Sequence, residues 1–553
     1  MFSAARALKC ASFNWLKVIS WKVCCCLYEK KFVIHIAERS VGAFFCCGPP
    51  RSFENFLLDN IRRYKNSMGM TNSTPNGYHG GSAAEYGSDS SVPERNGSMA
   101  GRVYTNGGFA HTSCSDIDEE QYDLICIGFG PASLAIAIAL HEQSQPARVL
   151  FLERQPEFAW HSGMLLPGTR MQISFIKDLA TLRNPRSEFT FVNYLHCKKR
   201  LVSFTNLGTF LPLREEYNDY MSWCAAHFED VVRYAQDVIS VSPVFSIPDN
   251  GDDAKPVKRW EVLSKCTVTG KPSIRRAKNV VIAVGGRPAF PPSIAPDLPH
   301  RRIIHSSRYS DSVPELLDDP SKQYRIAVVG AGQSSAEIFN DLHFRYPASK
   351  TSLYIRQHAL KPSDDSPFVN EIFNPDRVDT LYSLTPEVRA ASIREDSATN
   401  YSVVRLPLIE NLYDTLYHQR MRDPDENNWQ HRIHALQEVV GMEWDQDDKV
   451  RLKLRNTRTG ELVDSGDDAF DAVIFGTGYS RDVHHTMLKP VKSLMKDGCC
   501  SVGRDYRVVF WEGAVAEDAA IFLQGCCEAT HGVGSLRLRV ENERANGAFL
   551  VER

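Results

Sequence analysis

The 553-residue chain contains no Cys-x-x-Cys pair although it holds 15 cysteines. That absence speaks against a thioredoxin-reductase-type dithiol and against the usual zinc spacings, so no metal site is expected. Six cysteines fall at Cys10, Cys24, Cys25, Cys26, Cys46 and Cys47, and the others are single or neighbours, as in Cys499-Cys500 and Cys526-Cys527. In a chain this long such scatter fits a reducing compartment, with the cytoplasm as default. Net charge is also small. Lys+Arg 64 against Asp+Glu 67 leaves −3, which offers no basic footprint for nucleic acid. Long apolar runs are missing too: a membrane helix needs about 20 apolar residues, and Lys17, Lys22, Glu29, Lys30 and Lys31 interrupt every candidate, so no membrane partner is expected. Arg6, Lys9, Lys17 and Lys22 lie in an acid-free stretch, which keeps mitochondrial targeting as the alternative localisation. No repeat with a solenoid period runs along the chain.

What is present is a globular composition, 43% hydrophobic and 24% charged. At about 100–200 residues per domain, the length implies several structural units. Residues 67–115 are rich in Ser, Gly and Asn and have too few aliphatics to offset chain entropy. Residues 1–119 are therefore expected to be a disordered leader, unstructured or mis-assigned upstream of Met68 or Met70. Order is expected from Gln121. From there to about Phe522, apolar β-rich runs alternate with helical patterns, which defines an α/β protein.

Two segments carry the chemistry. In the first, the apolar run Tyr122 to Ile127 enters Gly128-Phe129-Gly130-Pro131-Ala132-Ser133 and then an Ala/Ile/Leu helix. Gly128 permits a tight turn, Gly130 lets backbone approach a pyrophosphate, and the small Ser133 replaces the third glycine where helix meets strand. The phosphates would meet free N–H groups and the positive end of the helix dipole. The next strand, Val149 to Leu152, ends at Glu153, whose carboxylate can accept a ribose hydroxyl. The second segment repeats the plan: Arg325 to Val329, then Gly330-Ala331-Gly332-Gln333-Ser334-Ser335. Its following strand, Ser352 to Ile355, ends in Arg356. A carboxylate there would repel a 2′-phosphate, whereas an arginine pairs with one, so NADPH is favoured over NADH.

Two such units in one chain imply FAD at the first and NADPH at the second. The expected fold is α/β with two Rossmann-like dinucleotide-binding domains and a smaller substrate-binding region. A first stretch of the FAD domain is expected at 120–320, the NADPH domain with substrate segments at 321–425, and the substrate region with the remainder of the FAD domain at 426–532. Two strand-plus-glycine segments, Val280 to Pro288 and Ala472-Val473-Ile474-Phe475-Gly476-Thr477-Gly478-Tyr479, are read as the chain leaving the flavin domain and returning to it. Gly476 and Gly478 join the cofactor-binding set.

The run from Met171 to Pro185, the Gly-Thr-Gly-Tyr at 476–479 and Glu528-Ala529-Thr530-His531-Gly532 resemble the N-hydroxylating flavin monooxygenases, most closely the fungal L-ornithine N5-monooxygenases of hydroxamate-siderophore biosynthesis. The resemblance covers roughly 121–532. It implies that NADPH reduces FAD, that O2 then forms a flavin C4a-hydroperoxide, and that the side-chain amine of L-ornithine becomes N5-hydroxyornithine. L-Lysine N6-hydroxylation or another flavin monooxygenase activity is the near alternative, an uncoupled flavin-binding pseudoenzyme the remote one. By the same resemblance, Lys177 pairs with the substrate carboxylate, Asn370 holds the substrate backbone, Asn400 contacts substrate, and Gln172 lies beside the flavin. Gln172 and Asn400 are the catalytic candidates. Pro131, Ser334 and Ser335 complete the cofactor contacts, and a homotetramer is implied. In the family a Leu-Ser-Asp-Thr-Leu-Leu-Ser run follows Thr-His-Gly, whereas this chain reads Val533-Gly534-Ser535-Leu536-Arg537-Leu538-Arg539. Residues 533–553 are therefore an atypical tail, and the family's serine contact is not assigned to Ser535.

Overall fold

The computed structural model describes residues 121–143, 147–245, 256–294, 299–464 and 469–532. The expected leader 1–119 and the tail 533–553 lie outside the described residues. The first sheet uses β1 (Gln121–Ile127), β2 (Val149–Leu152), β3 (Val232–Arg233), β4 (Gln236–Pro243), β5 (Trp260–Cys266) and β6 (Pro272–Ile282) in the order β3-β2-β1-β6-β5-β4. Its β3-β2-β1-β6 half is parallel, and β5 and β4 continue it antiparallel.

After β7 (Arg287–Pro288) the chain builds a second sheet from β8 (Ile303–His305), β9 (Arg325–Val329) and β10 (Lys350–Ile355). The short pair β11 (Lys361–Pro362) and β12 (Val403–Val404) brackets a helical excursion, and β13 (His431–Ala435) rejoins the sheet. An antiparallel ribbon, β14 (Gln437–Trp444), β15 (Val450–Asn456) and β16 (Leu462–Asp464), precedes β17 (Ala472–Phe475). The second sheet runs β13-β10-β9-β17-β8, all parallel. The chain crosses back where β18 (Tyr479–Ser480) pairs antiparallel with β7, and β19 (Ala520–Leu523) docks parallel on β6.

The paired strands β7 and β18 lie where the chain passes between the two sheets. The segment 472–475, assigned from the sequence to the returning flavin domain, is an inner strand of the second sheet, and so β8 and β17 move the expected boundaries. All four residues of β17 are buried, and only an inner parallel strand covered on both faces accepts such a run. The same covering explains β1: Leu124 and Cys126 face the helix Pro131–Gln143, while Ile125 and Ile127 face an apolar cluster on the other side. Each such fully buried aliphatic side chain contributes about 1.5–3 kcal/mol. No helix among the described residues is long and apolar enough to cross a membrane.

Candidate functional site

At the first turn Gly128 has φ +92°, and a Cβ there would lie 2.6 Å from the Ala283 carbonyl oxygen, so only glycine fits. Its N–H donates to Leu152 O at 2.8 Å, which fixes the turn against β2. Gly130 is the opposite case: a Cβ there would meet nothing within 4 Å. It faces open space at the start of the helix Pro131–Gln143, where Pro131 has no N–H to leave unpaired. Ser133, in the first turn of that helix, is fully buried, and its hydroxyl has no protein partner. Glu153 does something the sequence did not announce. Its Oε2 accepts from Phe129 N–H at 2.7 Å and its Oε1 from Gln155 N–H at 2.9 Å, so the carboxylate secures the glycine turn. Each oxygen keeps lone-pair capacity for a ribose hydroxyl. Open space at Gly130, a helix start and an orphaned buried hydroxyl suit a dinucleotide's pyrophosphate.

At the second turn Gly330 has φ +132°, and its Cβ would come within 2.5 Å of both Gly476 O and Ser335 Oγ. Gly476 is equally tight, since a Cβ on it would collide with Ser335 Oγ. Ser335 is fully buried, its hydroxyl 3.4 Å from Val329 O and 3.3 Å from Gly476 O. It knits β9, β17 and the helix Gln333–Arg345 together and does not face outward. Ser334 is half-buried at the helix start, and a Cβ on Gly332 would meet only Ser402 Cα at 3.9 Å. Gly478 has φ +80°, and its carbonyl accepts from Ala289 N–H at 3.0 Å. Arg356 lies just past β10 with a side chain 68% exposed, 3.9 Å from Glu438.

A cleft of about 120 Å³ opens beside this second turn. Gln172, Asn370 and Asn400 all line it, drawn from three segments far apart in sequence. Gln333, Asp364, Asp365, Tyr401 and Ser402 join them. Lys177 is not among the lining residues. It lies on the loop after Gln172, where its N–H donates to Ser174 O at 2.9 Å. The next residue, Asp178, organises that loop: its buried carboxylate accepts from the N–H groups of Ala180, Thr181 and Phe191 and from the Thr181 hydroxyl. Burial still pushes its carboxyl above the ordinary 3.8. Asn370 donates its amide to Asp365 O at 2.9 Å, closing the Asp365–Asn370 turn on itself. Tyr401 OH donates to Glu528 Oε2 at 2.8 Å, so the Glu-Ala-Thr-His segment braces the cleft wall.

The sequence also concealed a clamp. Arg214, on the helix Arg214–Ala225 packed under the first sheet, makes a bidentate pair with Glu337 at 2.7 and 2.9 Å. Glu337 further accepts from Gln333 Nε2 at 2.8 Å, and Gln333 Oε1 accepts from Arg405 N–H at 2.8 Å. The first unit is thereby linked through Glu337 and Gln333 to the cleft wall. Only the placement of Gln333 after Gly332 hinted at it.

Two sheets, one mixed and one parallel, each with a strand that opens on a glycine turn and helix, with a polar cleft beside the second turn, define a dinucleotide-dependent oxidoreductase with two nucleotide units. Comparison with known proteins narrows the class. The L-ornithine N(5)-monooxygenase of Ajellomyces capsulatus is 49% identical over 439 residues, spanning 79% of this chain and 90% of that one. The ornithine hydroxylase of Pseudomonas aeruginosa superimposes with a TM-score of 0.69 at 37% identity, covering 78% of this chain and 98% of that one. The ornithine N-hydroxylase of Kutzneria sp. 744, described with reduced FAD, NADP+ and L-ornithine, gives a TM-score of 0.69 at 32% identity with the same coverage. The family model for L-lysine 6-monooxygenase/L-ornithine 5-monooxygenase matches residues 120–481, and the chain belongs to that family.

Proposed function

We propose that the chain hydroxylates the side-chain amine of L-ornithine to N5-hydroxyornithine, using NADPH, O2 and FAD, as the first step of hydroxamate-siderophore biosynthesis. The observation that carries this reading is the convergence of Gln172, Asn370 and Asn400 on one cleft beside the second glycine turn. FAD, when bound, would supply the redox and oxygen-activating chemistry, with NADPH as the reductant. The chain's residues bind and orient. Gly128, Gly130, Pro131 and Ser133 receive the FAD pyrophosphate and Glu153 its ribose; Gly330, Gly332, Ser334 and Arg356 receive NADPH, with Ser335, Gly476 and Gly478 shaping that turn.

The cleft suits a small substrate, being far below the roughly 300–1,000 Å³ of drug-sized pockets. The reacting amine must be neutral, although a free alkylamine titrates near 10.4. A carboxylate beside it would hold the proton on. Asp364 and Asp365 therefore belong on the side of the α-ammonium, and the neutral amides of Gln172 and Asn400 on the side of the reacting nitrogen, where they orient it without charging it. Lys177 takes the substrate carboxylate from the neighbouring loop. The enzyme works in the cytoplasm as a homo-oligomer.

The test is purified full-length protein with NADPH, O2 and either ornithine or lysine, following hydroxylamine product, NADPH loss and peroxide together. Product from ornithine well above that from lysine is expected. NADPH consumption matched only by peroxide with both amino acids would reject the reading. Lys177→Ala should raise the ornithine requirement by about 10- to 100-fold, the value of a charged hydrogen bond, with anaerobic flavin reduction unchanged.

A further inference from the structure

A second cluster of reactive side chains lies apart from the cleft. The short helix Val483–Met487 carries His484, buried, and His485, exposed. Successive residues of a helix point about 100° apart, yet these two rings converge, with centroids 4.1 Å apart at 37°. Cys500, half-buried after the turn Lys496–Gly498, brings its thiol to them: the ligand atoms of His484, His485 and Cys500 all lie within 4.8 Å of one another. Cys526, half-buried just past β19, packs with Cys500 against one and the same apolar core cluster. Behind the group stand Met487 and Cys527, which belong to the apolar core under the first sheet, so one wall is dry.

We propose that His484, His485, Cys500 and Cys526 form a tetrahedral site for a soft divalent cation of the zinc type. Two imidazole nitrogens and two sulfurs are the donor set that zinc prefers, and neither hard cations nor an anion would choose it. Bonds of about 2.0–2.1 Å to nitrogen and 2.3 Å to sulfur set ligand atoms about 3.5 Å apart, so the three ligand atoms of His484, His485 and Cys500, all within 4.8 Å of one another, close on a metal by side-chain movements of about 1 Å. Zinc binds the thiolate form of cysteine, so binding releases the thiol protons to solvent. The absence of Cys-x-x-Cys does not bear on this site, because its ligands come from three segments that only the fold joins. The metal would tie the segment after β18 to the end of β19, next to the Glu528–Tyr401 contact.

The experiment uses reduced, full-length holoprotein stripped with a chelator and titrated with Zn2+ in competition with a chromogenic chelator, followed by zinc-edge X-ray absorption. One equivalent is expected, with two sulfur scatterers near 2.3 Å and two nitrogens near 2.0 Å. His485→Ala and Cys500→Ser should each weaken Zn2+ by about 10- to 100-fold while flavin content, the check on folding, stays the same. A scattering shell without sulfur overturns the site. So does Zn2+ affinity unchanged in the double variant.

Discussion

The two glycine turns look alike in sequence and differ in what surrounds them. The first is closed on itself: Glu153 bonds the Phe129 N–H, and the helix it feeds buries Ser133 through Leu140 without interruption. The second feeds a helix with a polar face, on which Gln333 and Glu337 reach Arg214 in one direction and Arg405 N–H in the other. The first turn is thus braced locally, and the second is connected to the polar cleft and to the other unit. Glycine spacing reports that a dinucleotide fits. The neighbouring side chains decide what the binding is coupled to.

The sharpest way to break the comparison is inside the first turn. Gly128 is crowded by Ala283 backbone, whereas Gly130 looks into open space. Gly130→Val should therefore fold and purify without flavin, while Gly128→Val should fail to accumulate as folded protein. Stoichiometric flavin in Gly130→Val would remove residues 128–133 from the FAD site.

The next effect concerns the clamp. Arg214 and Glu337 have side chains only 14% and 5% exposed, and burial already pushes the Glu337 carboxyl above its ordinary 4.5 against the pull of Arg214. Removing one partner of a buried pair costs about 3–5 kcal/mol because the other charge is stranded. Arg214→Ala should lower stability by that amount in denaturant unfolding. The double variant Arg214→Met, Glu337→Leu should recover most of it, which would separate the cost of an orphaned charge from any net value of the pair.

Both turns were legible in the sequence because their signals are local: an apolar run, glycines at fixed offsets, a helix. The cleft was legible only through family resemblance, since Gln172, Asn370 and Asn400 carry no local pattern and meet through tertiary folding. Asp364 and Gln333 had no signal that they line the same cleft. The fate of β17 was hidden for a different reason. A buried apolar run followed by glycine reads the same whichever parallel sheet receives it, and only pairing with β9 and β8 assigns it to the second.

A smaller difference between the two helices that follow the turns is acid sensitivity. At the far end of the second helix, the buried His343 ring has neither nitrogen hydrogen-bonded and stacks 3.6 Å from His431. Burial, with His431 adding to it, lowers His343 from 6.5 to about 3, and burial lowers His431 to about 4. Between pH 6.5 and these values the unfolded chain takes up protons that the folded chain refuses, so stability falls as pH falls through that window. One such ring costs about 2 kcal/mol at pH 5. His343→Phe should match the parent at pH 7.5 and exceed it at pH 5 in thermal unfolding. An unchanged pH profile would mean that the ring is already charged or solvated in the native state. The buried residues of the first helix include no histidine, so no matching variant exists there.

The smallest effect tests cofactor choice at the second turn. Arg356 is exposed and its partner Glu438 also receives Arg455 Nε at 3.1 Å, so the glutamate is shared between two cations and Arg356 holds it loosely, at 3.9 Å. A 2′-phosphate can draw Arg356 away at little cost. Because the site faces solvent, screening trims the charged contact to the low end of its range, about 1.4 kcal/mol or tenfold. Arg356→Ala should thus weaken NADPH about tenfold in anaerobic flavin-reduction titrations and leave NADH nearly unchanged, with the NADPH effect shrinking as salt is raised. Glu438→Gln should move the other way, since it removes a carboxylate that both competes for Arg356 and repels the phosphate. If both variants weaken NADPH and NADH equally, the pair shapes the loop after β10, and the arginine is not the 2′-phosphate ligand.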